Sequence, residues 1–402
     1  MNDKITCLEL FSGAGGLATG IGMCGAQHKG FIEWNSDACA TLKFNYGNDL
    51  VRHIDVRKVN FRDYGYTDLI AGGPPCQPFS LGGKHGGFRD DRDMFPQAAR
   101  AIAECQPKAF IFENVKGLLR ESFSTYFSYI ILRLTYPTVE SKIDEKWEDH
   151  LSRLEKQHTA GNHVDLKYNV VFRLLDAADY GIPQRRERVV IVGIRSDLNL
   201  EWSFPAQTHS LEALLWTQFI DKSYLSSHGM KAAPQLESYD MRSRSVIDRL
   251  KSNSELFPPS LKPWRTVRDQ IGHIPFPDKQ GTFHPEHVLK TGAKVYAGHT
   301  GSFIDLPSKT VKAGDHGVPG GENMIRYEDG SVRYYTTFEA KRIQTFPSEY
   351  RILGSWTESL RQIGNAVPVD LGEIVAKSVI NLVWQNTNKK PNKAVDSTRY
   401  RA

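Results

Sequence analysis

A chain of 402 residues with 40% hydrophobic and 24% charged side chains can bury more than one packed unit, and it lacks the bias of disordered, collagenous or disulfide-stapled polypeptides. No apolar run approaches the roughly 20 residues of a membrane helix, and MNDKITCLELF enters a strand pattern with no signal-peptide layout, so a cytoplasmic protein without a membrane partner is expected. The net charge of +5 is concentrated in the tail, where Lys389, Lys390, Lys393, Arg399 and Arg401 against Asp396 leave the rest of the chain near neutrality, so charge alone does not identify a nucleic-acid partner. Five cysteines, at positions 7, 24, 39, 76 and 105, form no CxxC pair, which argues against a disulfide framework or a zinc motif.

Taken in chain order, Ile5 to Leu10 reads as a strand, the glycine turn FSGAGG follows, and a helix runs from Leu17 to about Cys24. His28 to Glu33 is the next strand and Ser36 to Asn45 a helix. Asp55 ends a third strand, Leu69 to Ala71 a fourth, Met94 to Glu104 is helical, and Lys108 to Glu113 is a strand. This alternation predicts βαβ units, hence an α/β fold with a doubly wound, mostly parallel sheet of Rossmann-like type. Asn169 to Leu174 and Arg188 to Gly193 add an antiparallel pair. Residues 138–167 read as a charged, helical surface insertion.

From about residue 200 the character changes: seven of the 13 histidines lie in 200–330, with more Pro, Gly and Ser. The boundaries predicted are a catalytic, cofactor-binding domain over 1–199, a smaller, mainly β unit over 200–330, a return to the first domain over 331–385, and a basic disordered tail over 386–402. Helix patterns return at FEAKRIQTF and from Asp370 to about Trp384.

FSGAGG stands where a strand meets a helix N-terminus, the place at which backbone amides meet a cofactor. Glu33, at the end of the second strand, suits a ribose hydroxyl pair, and Trp34 beside it offers a face for a base. The stretch GGPPCQPFS, residues 72–80, puts Cys76 on a loop at the carboxyl end of a strand. Its three prolines fix several φ angles, so the sulfur has a defined position, and Gln77 makes the loop a poor core segment. A reactive thiol is the expectation.

Together these segments resemble the cytosine-C5 DNA methyltransferase family of prokaryotic type, over about two thirds of the chain and in the family's order. The resemblance rests on LELFSGAGGLATG, GFIEWN, HIDV, GGPPCQPFS, FENV (112–115), QRRER (184–188), RIQTFP (342–347) and QIGNAVP (362–368). Glu9 stands where an Asp is more usual, Gly82 where some relatives carry Ser, and Met94 where Gly-x-Leu-Phe is common.

What the resemblance implies is S-adenosyl-L-methionine as cofactor, lined by Phe11, Gly13, Gly16, Leu17, Glu33, Trp34, Asp55, Val56, Pro75 and Met94, with Asn365, Ala366 and Val367 closing the pocket. It implies double-stranded DNA as substrate, a flipped cytosine, a monomer acting within a restriction–modification or related defence system, and no metal. Cys76 would add as thiolate to C6, Glu113 would protonate or hydrogen-bond N3, Arg188 would bind O2, and Arg186 would support it. Residues 200–330 would read the target sequence. Rival readings are a transfer-RNA cytosine methyltransferase, a non-catalytic DNA-binding relative, and a nicotinamide oxidoreductase, which leaves the Pro-Cys and Glu-Asn-Val blocks without a role.

Overall fold

A computed structural model of the chain describes residues 4–75, 93–161, 166–252, 257–313 and 323–387. Cys76, Gly82, most of AGDHGVPGGEN (313–323) and the basic tail lie outside these residues. Seven strands, β1 (Thr6–Leu10), β2 (Gln27–Glu33), β3 (Val51–His53), β4 (Leu69–Gly72), β5 (Ala109–Val115), β6 (Tyr168–Asp176) and β7 (Glu187–Arg195), form one sheet in the order β3-β2-β1-β4-β5-β7-β6. The first five are parallel, and β7 is antiparallel to both β5 and β6.

β1 pairs with β2 on one side and β4 on the other. The strand order therefore reverses beside β1, and the crevice beyond the carboxyl ends of β1, β4 and β5 is where an open sheet of this type places its ligands.

Both faces of the sheet are covered, as a parallel sheet requires. The helices of the first part are α1 (Gly16–Met23), α2 (Ser36–Tyr46), α3 (Phe95–Cys105), α4 (Ser124–Thr135) and α5 (Trp147–Ala160). Because side chains alternate along a strand, β1 sends Leu8 and Leu10 to a cluster with Phe95, Ala98, Ile102 and Ile130 of α3 and α4. Its Cys7 joins Leu17 and Ile21 of α1 on the opposite face. The stretch expected to lie on the surface contributes to that core: Leu151 and Leu154 of α5 are buried in the cluster under α3 and α4. Leu151 and Leu154, joined by buried His150 and by Trp147 against Tyr126 and Tyr129, dock a helix that is otherwise mostly charged.

Residues 200–330 carry α6 (Leu211–Phe219), α7 (Ser223–Ser227), α8 (Met241–Ser252) and α9 (Val267–Ile271). Their strands are short: β8 (His209–Ser210) pairs with β9 (Lys262–Pro263), and β10 (Ser302–Phe303) and β11 (Met324–Arg326) join β12 (Val332–Tyr334) in a small separate sheet. The separate sheet matches expectation, but the longest regular elements of this part are helices. The chain then returns through α10 (Thr337–Ile343), α11 (Trp356–Asn365) and α12 (Val369–Thr387), the last packed on α1. Glu286 reaches into this return segment. It meets Lys341 at 2.6 Å and Arg351 at 3.3 Å, which ties the 200–330 segment to the C-terminal block. Among the described residues no helix is long and apolar enough to cross a membrane.

Candidate active site

The glycine turn after β1 is held open by backbone conformation. Phe11 sits at φ 53°, a left-handed value that few side-chain-bearing residues adopt, and Gly13 and Gly15 follow at 52° and 79°. Such strain persists only where surrounding contacts enforce it. Here the enforcing contacts come from Glu33 and the C-terminal block. Glu33 Oε2 accepts the Gly13 amide at 2.7 Å, and its Oε1 accepts the amides of Trp34 at 2.8 Å and Asn35 at 2.7 Å. The carboxylate is thus fixed beside the turn, with lone-pair capacity left on Oε2 for hydroxyl donors.

Gly16 opens α1 against the last block: a Cβ there would lie 2.2 Å from the Val367 carbonyl oxygen. Only glycine lets the two segments meet this closely.

Around this turn the expected cofactor residues divide into three groups. Phe11, Val56 and Met94 belong to or pack against one apolar cluster. Trp34 and Asn365 are exposed, Trp34 to 67%, and present their side chains to solvent. Leu17 is buried in the core shared with α12, and Ala366 and Val367 are buried beside Gly16. Asp55 lies two residues past β3, where its carboxylate takes the Arg57 amide at 2.9 Å and pairs with the Arg57 guanidinium at 2.6 Å. That guanidinium holds Asp55 below the usual carboxylate range.

At the other side of the crevice stand Glu113 and Arg188. On the paired strands Arg188 faces Val115, two residues from Glu113, so the two polar side chains are diagonal neighbours on one face. Arg188 Nε meets Glu113 Oε1 at 2.7 Å with both side chains largely shielded from water. The other carboxylate oxygen faces the loop leading to Cys76: it lies 3.4 Å from where a Cβ of Gly73 would stand.

The loop is pinned on both sides just before the cysteine. Asn114 Nδ2 donates to the Pro74 carbonyl at 2.8 Å, and the Met94 amide donates to the Pro75 carbonyl at 3.1 Å. Glu113, Arg188 and the entry to the Cys76 loop thus converge at the carboxyl ends of β4 and β5. Cys76 itself is outside the described residues.

Arg186 lies deeper. Its side chain is fully buried and donates to the carbonyls of Val311 at 3.2 Å, Gly364 at 2.6 Å and Ala366 at 2.9 Å. Burial and then the neighbouring Arg188 work against its charge, and Glu113 offsets part of that effect. Arg186 therefore acts on the site through the segments it joins.

Two glutamines complete the junction, and sequence reading left them without a role. Gln184 accepts the Val311 amide at 3.0 Å and donates to Gln344 at 2.9 Å, and Gln344 donates to the carbonyls of Ile363 and Ala366. Their position within QRRER and RIQTFP was the only available signal.

Replacing Arg186 by Met keeps the length but leaves the Val311 and Gly364 carbonyls short of a donor, at about 1–3 kcal/mol for each. We expect a clear fall in the denaturation midpoint by urea titration; an unchanged midpoint would exclude Arg186 as the junction's anchor.

A sequence profile described as C-5 cytosine-specific DNA methylase matches residues 5–136 and 149–381. The chain is 32% identical to Type II methyltransferase M.Eco47II of Escherichia coli over 395 residues, which is 95% of this chain and 80% of that protein. It is 31% identical to Type II methyltransferase M.PspPI of Psychrobacter sp. (strain TA137), covering 94% and 79%. Among solved structures, the S. pombe Dnmt2 methyltransferase shares the fold, with a TM-score of 0.55 at 17% identity over 96% of this chain and 100% of that one.

Proposed function

This chain belongs to the C-5 cytosine-specific DNA methylase family and is a DNA cytosine methyltransferase, and we propose that it attacks C6 of a flipped cytosine with Cys76 and takes its methyl group from S-adenosyl-L-methionine. The observation that carries the reading is the Glu113–Arg188 pair facing the loop that delivers Cys76. A cytosine C5 is a weak nucleophile until a thiolate adds at C6 and the ring electrons move toward C5. Arg188 keeps donors beyond the one given to Glu113, and these suit the cytosine O2. Glu113 would hydrogen-bond or protonate N3 as charge develops on the ring. After methylation, loss of the C5 proton expels the Cys76 thiolate and restores the aromatic ring. Asn114 and Met94 hold the Cys76 loop against the crevice from its two sides.

The residues around the glycine turn fit an adenosyl group. Glu33 has spare acceptor capacity next to the turn, Trp34 exposes a ring face, and Asn365 is exposed beside the Gly16–Val367 contact. Phe11, Gly13, Gly16, Leu17, Asp55, Val56, Pro75, Met94, Ala366 and Val367 would complete the pocket by side chain or backbone. When bound, S-adenosyl-L-methionine supplies an electrophilic methyl on a sulfonium.

Residues 200–330 would read the target, held to the catalytic part by Glu286, Lys341 and Arg351. A role with a cognate restriction or related defence system is supported by the Type II methyltransferases among its relatives.

The test is transfer of labelled methyl from S-adenosyl-L-methionine to mixed-sequence genomic duplex DNA, with the product mapped by bisulfite sequencing. We expect 5-methylcytosine in one sequence context. No transfer to any such DNA, or label recovered at the exocyclic N4, would refute the reading.

A further inference from the structure

Outside the crevice, one buried cluster of metal-ligating groups has no part in the chemistry above. Cys7 and Glu9 stand two residues apart on β1, so they share a face of the sheet, and His28 lies opposite Cys7 on β2. The register between these strands slips by one residue immediately after that pair, with Leu8 facing Gly30. Such a bulge re-aims the side chains beside it. The result brings Cys7 Sγ to 3.6 Å and His28 Nδ1 to 4.0 Å from Glu9 Oε1, and all three ligand atoms lie within 4.8 Å of one another.

The histidine carries the strongest indication. His28 Nε2 lies 3.1 Å from the Ala18 carbonyl, so it bears the proton and Nδ1 presents a lone pair. Nδ1 is buried without any hydrogen-bond partner, and its separation from Glu9 is too long for a hydrogen bond. A metal-bound histidine is ordinarily oriented in this way, with its second nitrogen donating to a carbonyl.

We propose that Cys7, Glu9 and His28 form a structural site for one zinc ion beneath the glycine turn. Zinc binds sulfur at about 2.3 Å and nitrogen or oxygen at about 2.0–2.2 Å, so the 3.6 Å and 4.0 Å separations fall within the span of two such bonds. The remaining pair, Cys7 Sγ and His28 Nδ1, lies within 4.8 Å.

A divalent cation with one thiolate, one carboxylate and one neutral imidazole is uncharged overall, which is what a dry core tolerates. The incoming ion displaces to solvent the Cys7 thiol proton, which in its absence is hydrogen-bonded to Glu9. The ion cross-links β1 to β2 two residues before Phe11, and so stiffens the platform of the glycine turn.

The full-length protein is expressed in zinc-supplemented medium, passed through metal-free gel filtration and assayed by elemental mass spectrometry. We expect one zinc per chain, retained against EDTA and released on unfolding. Protein grown with cobalt in place of zinc should show a thiolate-to-cobalt charge-transfer band, absent in Cys7→Ser and with metal content reduced in His28→Gln. Substoichiometric zinc in the wild type, or a cobalt spectrum without a thiolate band, overturns the proposal. Both wild-type measurements stand even if the variants fail to fold, and neither depends on methyl transfer.

Discussion

Replacing Cys76 by Ser should abolish methyl transfer and leave binding of S-adenosyl-L-methionine intact. The substitution exchanges a thiol, the more acidic and more nucleophilic group, for a hydroxyl that stays protonated, so the ring would not be primed at C6. The expected loss is on the order of 10³-fold or more, the scale on which removal of a covalent nucleophile acts. Most residues we assign to the adenosyl pocket are carried by other segments, Pro75 beside Cys76 excepted: Glu33 ends β2, and Asn365 and Val367 lie in the C-terminal block. Calorimetric titration should therefore return an unchanged cofactor affinity. Retained turnover would remove Cys76 from its role, and a parallel loss of cofactor binding would show that the loop, rather than the sulfur, had been disturbed.

Glu113→Gln should lower the methylation rate by about 10²–10⁴, the range typical of a general acid–base contribution. The amide keeps the size of the carboxyl and can still meet the Arg188 guanidinium through its oxygen, but it cannot deliver a proton to N3. Its effect belongs in single-turnover chemistry, measured with saturating DNA and donor. Stability should change less than in Arg186→Met, because Asn114 holds the Pro74 carbonyl independently of the Glu113 side chain. A rate within a few fold of the wild type would place the proton source elsewhere.

Much of the frame was legible because parallel central strands are buried on both faces and read as continuous apolar runs. LIAG in β4 and AFIFENV in β5 are of that kind, with every residue buried but the last of β5. The order of motifs also implied that Glu113 would stand on a strand beside the one leading toward Cys76, as β5 stands beside β4.

What the sequence hid depends on register. In QRRER, four consecutive charges look like a solvated run, yet the path of the chain into β7 separates them: Arg186 is fully buried and Arg188 pairs with Glu113, while Arg185 is exposed. The cluster of Cys7, Glu9 and His28 carries no motif because its members sit on two strands brought together by a bulge. In the 200–330 part, strands of two or three residues have no detectable alternation, and α6 reads LEALLWTQF, an apolar run without a clear face. The expectation of a mainly β unit followed from its Pro and Gly content, whereas local packing of Leu215, Trp216, Ile247 and Leu250 favoured helices.

The reaction we propose passes through a covalent bond between Cys76 and C6 of the target cytosine. Duplex DNA carrying 5-fluorocytosine in the methylated context tests it directly, because fluorine occupies the position from which the final proton must leave. With S-adenosyl-L-methionine present, we predict a denaturation-resistant protein–DNA complex whose mass includes one added methyl, and whose peptide map places the linkage on Cys76. Methylation of ordinary DNA accompanied by no such complex, or a linkage mapped to another residue, would contradict the account.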